Sequence, residues 1–449
     1  MNWKGHLLAA CLAAAPLATM AAGWQSDLLP VDRVLVPDGA AKGVAVILSD
    51  AQGWAARDQA VAETLKAQGI ASVGVDLPGL LKKINAMKGA GDCAYLVSDI
   101  ESLSQQIQRA SGSVDYVAPV VAGVGLGGGL ALDIVDQTPD VTVGATVAAD
   151  PASAVPLTTD LCTPAGYMLQ LGGEVYALPK GHLADPVTVL LSPKATPDIV
   201  NRVTAFKAQS PDVTVAQAEP TAEVMAKAIS DQIETARAAM AALPVKVLKA
   251  TPKHDVMAII LSGDGGWRDL DQSIGEIMQK RGIPVIGLDS LRYFWSKRSP
   301  EETGKAIASL IQRYQPAFGV KHVILVGYSF GADVIPASFV QMPKAAQDKV
   351  ALVSLLGLST AADWTITVSG WLGSHGSHAT PTLPAVKAMP LDKVQCIYGA
   401  DEDDTGCPAL GQAGGEALKV QGGHHFDGNY ANIEKAIMAA YKHRVGAQF

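Results

Sequence analysis

The sequence lacks any stretch rich in lysine and arginine. Of its 449 residues, 35 are Lys or Arg and 43 are Asp or Glu, which gives a formal net charge of −8. A surface that binds DNA or RNA needs concentrated positive charge to neutralise the phosphates. The acidic balance therefore argues against nucleic acid as a ligand. With 49% hydrophobic and 17% charged residues, the composition is that of a globular protein.

Beyond its first residues, the sequence also lacks an uninterrupted apolar run of the ~18 residues that would span a bilayer. The nearest candidate, residues 116–132, is broken by five glycines. At the start of the chain, Lys4 precedes an apolar stretch over residues 7–17, and small residues follow. This order predicts a signal peptide over residues 1–22 and export of the chain. A lipoprotein signal ending at Cys11 ranks second, because almost no apolar region precedes that cysteine.

Cysteine is scarce, and the five cysteines fall into a simple pattern. Cys11 would leave with the signal peptide, so one pair remains in each half of the chain: Cys93 with Cys162, and Cys396 with Cys407. In an exported protein such pairs predict two local disulfides, with free buried thiols as the alternative. No Cys and His spacing brings four zinc ligands together, so neither a metal nor another cofactor is expected.

What the sequence does contain is an internal repeat. The segment LSDAQGW at 48–54 returns as LSGDGGW at 261–267. In the same register, IASVGVD at 70–76 returns as IPVIGLD at 283–289. Two motifs that share their spacing indicate two homologous domains.

Each half alternates short apolar runs with helical stretches. The runs at 44–48 and 257–261 are continuous rather than alternating in polarity. Such strands, separated by helices, predict parallel sheets covered on both faces. The fold class is therefore α/β, with two tandem α/β-hydrolase-like domains. We place domain one at 24–243 and domain two at 244–449.

Domain two carries a nucleophile elbow that domain one lacks. The motif GYSFG at 327–331 follows an apolar strand and precedes a helix, so Ser329 is the candidate nucleophile. Domain one has GVGLG at 123–127, where Gly125 stands in place of the serine. Its later strands are followed by neither an acid nor a histidine. We therefore expect domain one to keep the fold without the chemistry.

A serine nucleophile needs an imidazole base and a carboxylate that orients the imidazole. Domain two supplies both after the serine, in the chain order of α/β-hydrolases: an acidic loop at 401–404, then His424 and His425. We favour His424 because it directly follows a Gly-Gly turn. The acid is open among the four carboxylates of the loop, with Asp401 or Asp403 favoured.

The oxyanion hole is expected to combine the backbone N–H of Phe330 with one from the glycine-rich loop at 263–266. Gly263 and Asp264 would then face the substrate, although a turn without such a role is the alternative reading.

The segment at 291–298 mixes three aromatic residues with Arg292, Lys297 and Arg298. These cations would hold a phosphate at the mouth of the site while the aromatics contact a membrane surface. An ordinary amphipathic helix start explains the segment equally well.

Domain two resembles the VirJ/AcvB family of bacterial virulence-associated periplasmic proteins. The resemblance rests on GYSFGAD at 327–333, SGDGGW at 262–267, LRYFW at 291–295 and GGHHFDG at 422–428. The length of the chain is similar to that of the two-domain, AcvB-like members. The resemblance implies a periplasmic hydrolase of aminoacyl-phosphatidylglycerol, chiefly the lysyl form. It also implies contact with the membrane surface and a link to virulence or secretion-system proteins.

With this substrate, the lipid phosphate would meet the three cations of segment 291–298. The cationic amino acid would meet Asp264, Asp333 or the 401–404 loop. Two other hypotheses stay open: an esterase or thioesterase acting on a soluble substrate, and a periplasmic scaffold or binding protein whose domain one is an interaction surface.

Overall fold

The computed structural model describes most of the chain in five stretches, namely residues 23–87, 93–138, 142–239, 243–367 and 379–446. The predicted signal peptide and the alternative lipoprotein signal at Cys11 lie outside the described residues. Within those residues, no helix combines the length and the apolar character needed to cross a membrane.

Domain one is built from strands and helices in alternation. Its strands are β1 (Val34–Leu35), β2 (Val44–Leu48), β3 (Ala71–Val75), β4 (Val120–Val124), β5 (Ala145–Ala149), β6 (Tyr167–Gln170), β7 (Gly173–Tyr176), β8 (Val187–Leu191) and β9 (Val213–Gln217). Its helices are α1 (Ala56–Ala67), α2 (Leu77–Asn85), α3 (Leu96–Ala110), α4 (Leu126–Ile134), α5 (Pro197–Gln209) and α6 (Ala222–Ala239).

Domain two repeats this alternation. Its strands are β10 (Val245–Leu248), β11 (Val256–Leu261), β12 (Val285–Leu288), β13 (His322–Tyr328), β14 (Val350–Leu356), β15 (Ala361–Ala362), β16 (Thr380–Pro381), β17 (Val394–Gly399) and β18 (Glu416–Val420). Its helices are α7 (Asp269–Lys280), α8 (Ser290–Tyr293), α9 (Pro300–Phe318), α10 (Phe330–Gln341), α11 (Lys344–Gln347), α12 (Thr382–Lys387), α13 (Cys407–Gln412) and α14 (Tyr430–Val445).

The two main sheets have the same strand order. The first runs β1-β3-β2-β4-β5-β8-β9 and the second β10-β12-β11-β13-β14-β17-β18. In each, the first edge strand is antiparallel to its neighbour and the remaining strands are parallel. The predicted pair of tandem α/β domains is confirmed. The limits 24–243 and 244–449 stay predictions, although the two sheets share none of the described strands.

Burial on both faces explains why the central strands are continuously apolar. All six residues of β11 are buried. Met257 and Ile259 pack into the core on one face of the sheet, whereas Ala258 and Ile260 pack into the core on the other. Because successive side chains of a strand point to opposite faces, a sheet covered by helices on both sides needs an apolar residue at every position.

The repeated sequence motifs are structural landmarks. The ring of Trp267 lies against Gly287 of β12, where an added Cβ would be 2.2 Å from the ring, and Trp54 lies in the same way against Gly74 of β3. The aspartate that ends the second motif, Asp289, caps α8 by accepting a hydrogen bond from a backbone N–H. The tryptophans and the capping aspartate of the shared motifs therefore hold the fold.

Both predicted disulfides are present. Cys93 bonds Cys162 with a Cα–Cα distance of 5.0 Å, and Cys396 bonds Cys407 with a Cα–Cα distance of 5.4 Å. The second bridge joins β17 to the start of α13. It closes a loop of the chain that contains the acidic residues at 401–404.

Candidate active site

Ser329 lies in a strained turn between β13 and α10. Its φ is 51° and its ψ is −121°. A Cβ added at Gly327 would lie 2.5 Å from the carbonyl oxygen of Gly331, and one added at Gly331 would lie 2.2 Å from that of Leu261. Only glycine fits at these two positions, because helix and strand approach so closely. The turn thereby presents Ser329 at the carboxyl end of the sheet, as a nucleophile elbow does.

A histidine and a carboxylate lie on the neighbouring loops. The Nδ1 atom of His424 lies 2.5 Å from Oε1 of Glu402. The other oxygen of Glu402 accepts a hydrogen bond from the backbone N–H of Gly399 at 2.6 Å. At the end of β14, Gly357 leaves room for the pair, since an added Cβ would be 2.8 Å from His424 Cε1. A carboxylate that is 5% exposed and bound at both oxygens is well suited to fix an imidazole tautomer.

The acid paired with His424 is thus Glu402, which corrects the preference for Asp401 or Asp403. Both aspartates are exposed, while Glu402 turns inward. The turn after β17 decides this: Glu402 N–H bonds back to Gly399 O, and Asp401 N–H bonds to Gly422 O. Spacing along the chain does not reveal which of four adjacent carboxylates such a turn directs inward.

The second histidine has a different partner. His425 is exposed, and its Nδ1 lies 3.0 Å from the hydroxyl of Tyr328. His424, by contrast, lines the same cavity as Ser329. The arrangement therefore groups Ser329, His424 and Glu402, which is the set that a serine-dependent acyl transfer requires.

The loop after β11 lies beside the nucleophile. A Cβ added at Gly263 would be 3.3 Å from Tyr328 Cδ1 and 3.8 Å from Ser329 Cβ. The N–H of Gly263 donates to Oδ2 of buried Asp271 at 3.1 Å, so Gly263 does not offer this donor to a substrate. The expectation that Gly263 offers its N–H to the substrate is corrected accordingly. Its lack of a side chain leaves space beside Ser329. Asp271 lies in no catalytic motif. The only signal for it in the sequence is that the matching position of domain one, residue 58, is also an aspartate.

Asp264 lines the cavity. Burial raises the pKa of its carboxyl, whereas Arg268 and the backbone N–H groups of Asp264 and Gly265 act to lower the pKa.

Domain one shows what happens when the position of Gly263 carries a side chain. The matching residue is Asp50, whose Oδ1 accepts hydrogen bonds from the N–H of Leu126 at 2.9 Å and of Ala51 at 2.7 Å. Leu126 directly follows Gly125, just as Phe330 follows Ser329. A Cβ added at Gly125 would be 2.3 Å from Asp50 Oδ1. The place of an oxyanion hole in domain one is filled by the domain's own carboxylate.

The cavity at Ser329 has a volume of about 360 Å³ and an acidic lining. Its carboxylates are Asp264, Asp333, Asp363, Asp401, Glu402, Asp403 and Asp404. No lysine or arginine occurs among the lining residues that the structure describes. Asp333 is 7% exposed and accepts a hydrogen bond from Ser359 N–H at 2.7 Å. Burial raises the pKa of Asp333 well above its usual value, and the hydrogen bonds from Ser359 oppose that shift.

The basic-aromatic segment lies elsewhere. Phe294 and Trp295 are at most 1% exposed, so neither ring is free to contact a membrane surface. Arg292 and Arg298 line a separate cavity of about 550 Å³, and Lys297 is exposed without lining the cavity at Ser329. The expectation that these three cations bind phosphate at the mouth of the active site is therefore corrected. The segment instead lies at the contact between the two domains. Sequence patterns do not reveal such a contact.

For metal binding, the parts of the chain that are described contain no group of three or more His, Cys, Asp or Glu side chains arranged to hold an ion.

Comparisons with known proteins add a family match for domain two. Residues 255–445 match the model of a family described as bacterial virulence protein, VirJ. A search of curated proteins found no match.

Several solved structures are similar to part of the chain. Est1E from Butyrivibrio proteoclasticus with bound ferulic acid is 10% identical, with a TM-score of 0.31 over 45% of this chain and 95% of that one. Naproxen esterase from Bacillus subtilis is 11% identical, with a TM-score of 0.31 over 43% and 86%. YbtT, a type II thioesterase from the yersiniabactin pathway, is 14% identical, with a TM-score of 0.32 over 45% and 99%.

The first prediction concerns the acid. Glu402→Gln should slow covalent labelling of Ser329 by a fluorophosphonate by roughly 10³–10⁴-fold, because the imidazole loses the charge that holds its tautomer. Asp401→Asn and Asp403→Asn serve as controls and should label at nearly the wild-type rate. Labelling rates are measured by mass spectrometry of the intact protein. A slower reaction in either aspartate variant than in Glu402→Gln would contradict the assignment.

The second prediction uses domain one as a guide. Gly263→Asp should fold, because Asp50 occupies the matching position, yet it should react with the fluorophosphonate about 10²–10³-fold more slowly, because the new carboxylate occupies the N–H of Phe330. Gly263→Ala is the size control and should stay much closer to wild type, since the nearest atom to its Cβ would be Tyr328 Cδ1 at 3.3 Å, a contact that a small shift of the ring relieves. Equal rates for Gly263→Asp and Gly263→Ala would refute the interpretation.

Proposed function

We propose that domain two is a periplasmic serine hydrolase that cleaves the aminoacyl ester of aminoacyl-phosphatidylglycerol, with the lysyl form preferred. The observation that carries the proposal is the cavity at Ser329. It combines a nucleophile elbow and a His–Glu pair with a lining that is rich in carboxylates. Among the described residues of this lining there is no lysine or arginine. The match of residues 255–445 to the VirJ family supports the same reading.

The proposed reaction proceeds in two steps. His424 takes the proton of Ser329 as the serine oxygen attacks the ester carbonyl, and Glu402 stabilises the imidazolium. The N–H of Phe330 donates to the developing oxyanion. Phosphatidylglycerol leaves with the proton from His424, and the aminoacyl group stays on Ser329. Water, activated by His424, then releases the amino acid.

The acidic lining suits an aminoacyl group better than a fatty acyl group. Every aminoacyl ester carries an α-ammonium, and the lysyl form carries a second ammonium on its side chain. A cation beside Asp264 or Asp333 would favour the ionised carboxylate and so offset the effect of burial on the pKa of either group. The same carboxylates would repel the lipid phosphate, so this phosphate is expected to stay outside the cavity.

The compartment is part of the proposal. Two disulfides are typical of proteins in an oxidising compartment, which favours export and a cleaved signal peptide. Contact with the membrane surface and an association with virulence or secretion-system proteins are further parts of the proposal. The description of the matched family as a bacterial virulence protein supports the link to virulence.

A soluble ester is the second candidate. It is favoured by the scarcity of apolar residues in the described lining, where Phe330 and Ile366 are the hydrophobic members. Such a substrate would be a small ester with a cationic acyl group. A panel of substrates distinguishes the two.

The third prediction is the test of this function. Purified protein is incubated with lysyl- and alanyl-phosphatidylglycerol in mixed micelles and with a soluble lysyl ester, and the released amino acid is measured. The lysyl lipid should be hydrolysed with the highest kcat/KM. Ser329→Ala should lose activity by on the order of 10⁴-fold or more while staying folded, because the attacking oxygen is removed. Release of amino acid by Ser329→Ala at the wild-type rate would end the proposal, and hydrolysis of the soluble ester alone would favour the second candidate.

The fourth prediction concerns selectivity. Asp333→Asn keeps an acceptor for Ser359 N–H but removes the charge, so the ratio of kcat/KM for lysyl over alanyl lipid should fall by roughly tenfold, the worth of one charged contact. Asp392→Asn changes an exposed acid outside the cavity lining and is the control. An unchanged ratio in Asp333→Asn would show that this carboxylate does not read the charge of the acyl group.

A further inference from the structure

We propose that domain one positions the active site of domain two through two side chains of helix α3, each of which holds a separate wall of the catalytic cavity. The inference rests on the function proposed for Ser329. The two side chains are Glu101 and Arg109, which lie on the same helix, roughly two turns apart. Neither belongs to the cavity lining, so both are positioning residues.

The first contact supports the loop that follows β11. Glu101, which is 7% exposed, accepts a hydrogen bond from Arg268 Nη1 across the domain interface. The guanidinium of Arg268 lies against Gly265, where an added Cβ would be 2.6 Å from Nη2. Gly265 directly follows Asp264 of the cavity lining. Removing the charge of Glu101 would leave the exposed carboxylate of Asp269, 3.8 Å from Arg268 Nε, as the ionic partner of Arg268. The guanidinium would then be held less firmly against Gly265.

The second contact holds the wall at residues 365–367. Arg109 donates from Nη1 to the carbonyl oxygen of Trp295 at 2.6 Å and from Nη2 to the carbonyl oxygen of Ile366. Its Cζ lies 3.5 Å from the centroid of the Trp295 ring. Ile366 lines the catalytic cavity. Burial lowers the pKa of Arg109 to about 10, so the guanidinium is still charged at neutral pH.

This wall is connected to the oxyanion donor. Ile366 N–H donates to the carbonyl oxygen of Phe294 at 2.9 Å. The ring of Phe294 packs edge to face on the ring of Phe330 at a centroid distance of 4.9 Å. Phe330 is the residue that follows Ser329. A displacement of the wall would therefore reach the residue whose N–H faces the oxyanion.

Other contacts join the two domains without reaching the cavity. Trp295 Nε1 donates to the carbonyl oxygen of Ser113 at 2.9 Å, and the rings of Tyr116 and Trp295 lie 4.9 Å apart. Adhesion of the domains thus does not depend on Glu101 and Arg109 alone. Glu101 and Arg109 differ from the residues that only join the domains, because the groups that they bind belong to segments that form the cavity.

The experiment compares Glu101→Gln, Arg109→Lys and the double variant in the full chain. Two readouts are the rate of fluorophosphonate labelling of Ser329 and the hydrogen–deuterium exchange of residues 263–268 and 365–367. We expect labelling to slow by roughly ten- to hundredfold, because small displacements of reacting groups have effects of that size. We also expect exchange to rise at 263–268 in Glu101→Gln and at 365–367 in Arg109→Lys, with the thermal midpoint close to wild type.

The control is Gln106→Ala, which lies on the same helix but hydrogen-bonds Gln25 of domain one. It should match the wild type in both readouts. Wild-type labelling and exchange in Glu101→Gln and Arg109→Lys would overturn the inference, as would slower labelling without faster exchange at these segments. If Arg109→Lys fails to fold, Glu101→Gln decides. A wild-type chain that is not labelled at all would overturn the proposed function, whereas the exchange data would still decide whether α3 holds the two walls.

Discussion

The close approach of helix to strand at the elbow is the constraint on which both domains depend. In domain two, Gly327 and Gly331 allow α10 to begin directly against β13 and β11. In domain one, a Cβ at Gly123 would likewise lie 2.4 Å from the carbonyl oxygen of Gly127. This contact sets where the residue between the two glycines is presented. The geometry survives in domain one without a nucleophile, so it is a requirement of the fold before it is a requirement of catalysis.

Much of this architecture follows from the sequence because it depends on local rules. Continuous apolar strands and glycines at a strand–helix turn are read from neighbouring residues, and the cysteine pairing follows from there being one pair in each half. The acid at Glu402 and the position of Arg292 are not, because each depends on tertiary contacts. Backbone hydrogen bonds between two loops direct Glu402, rather than its neighbours, toward His424. Arg292 belongs to a segment that lies at the interface with domain one. Sequence spacing limits the candidates for such a residue to a short segment, but it does not identify the residue itself.

The two domains differ most where a carboxylate meets the turn. Asp50 places its side chain against the N–H of Leu126, whereas Gly263, at the matching position of domain two, has no side chain to reach the N–H of Phe330. A backbone N–H that already donates to a carboxylate is not available to stabilise negative charge that develops during a reaction. Domain one therefore differs from domain two at this turn by more than the absence of a serine.

An acidic cavity presents a conflict for a hydrolase whose intermediate is an oxyanion. Each carboxylate near Ser329 opposes the negative charge that forms on the substrate. Under the proposed function, a cationic acyl group would resolve the conflict, because its ammonium would attract both the carboxylates and the oxyanion. In this view a neutral acyl group would bind less well and would also react more slowly once bound. Selectivity for the cationic acyl group would then appear in kcat as well as in KM, since the charge assists the transition state and not only the bound ester.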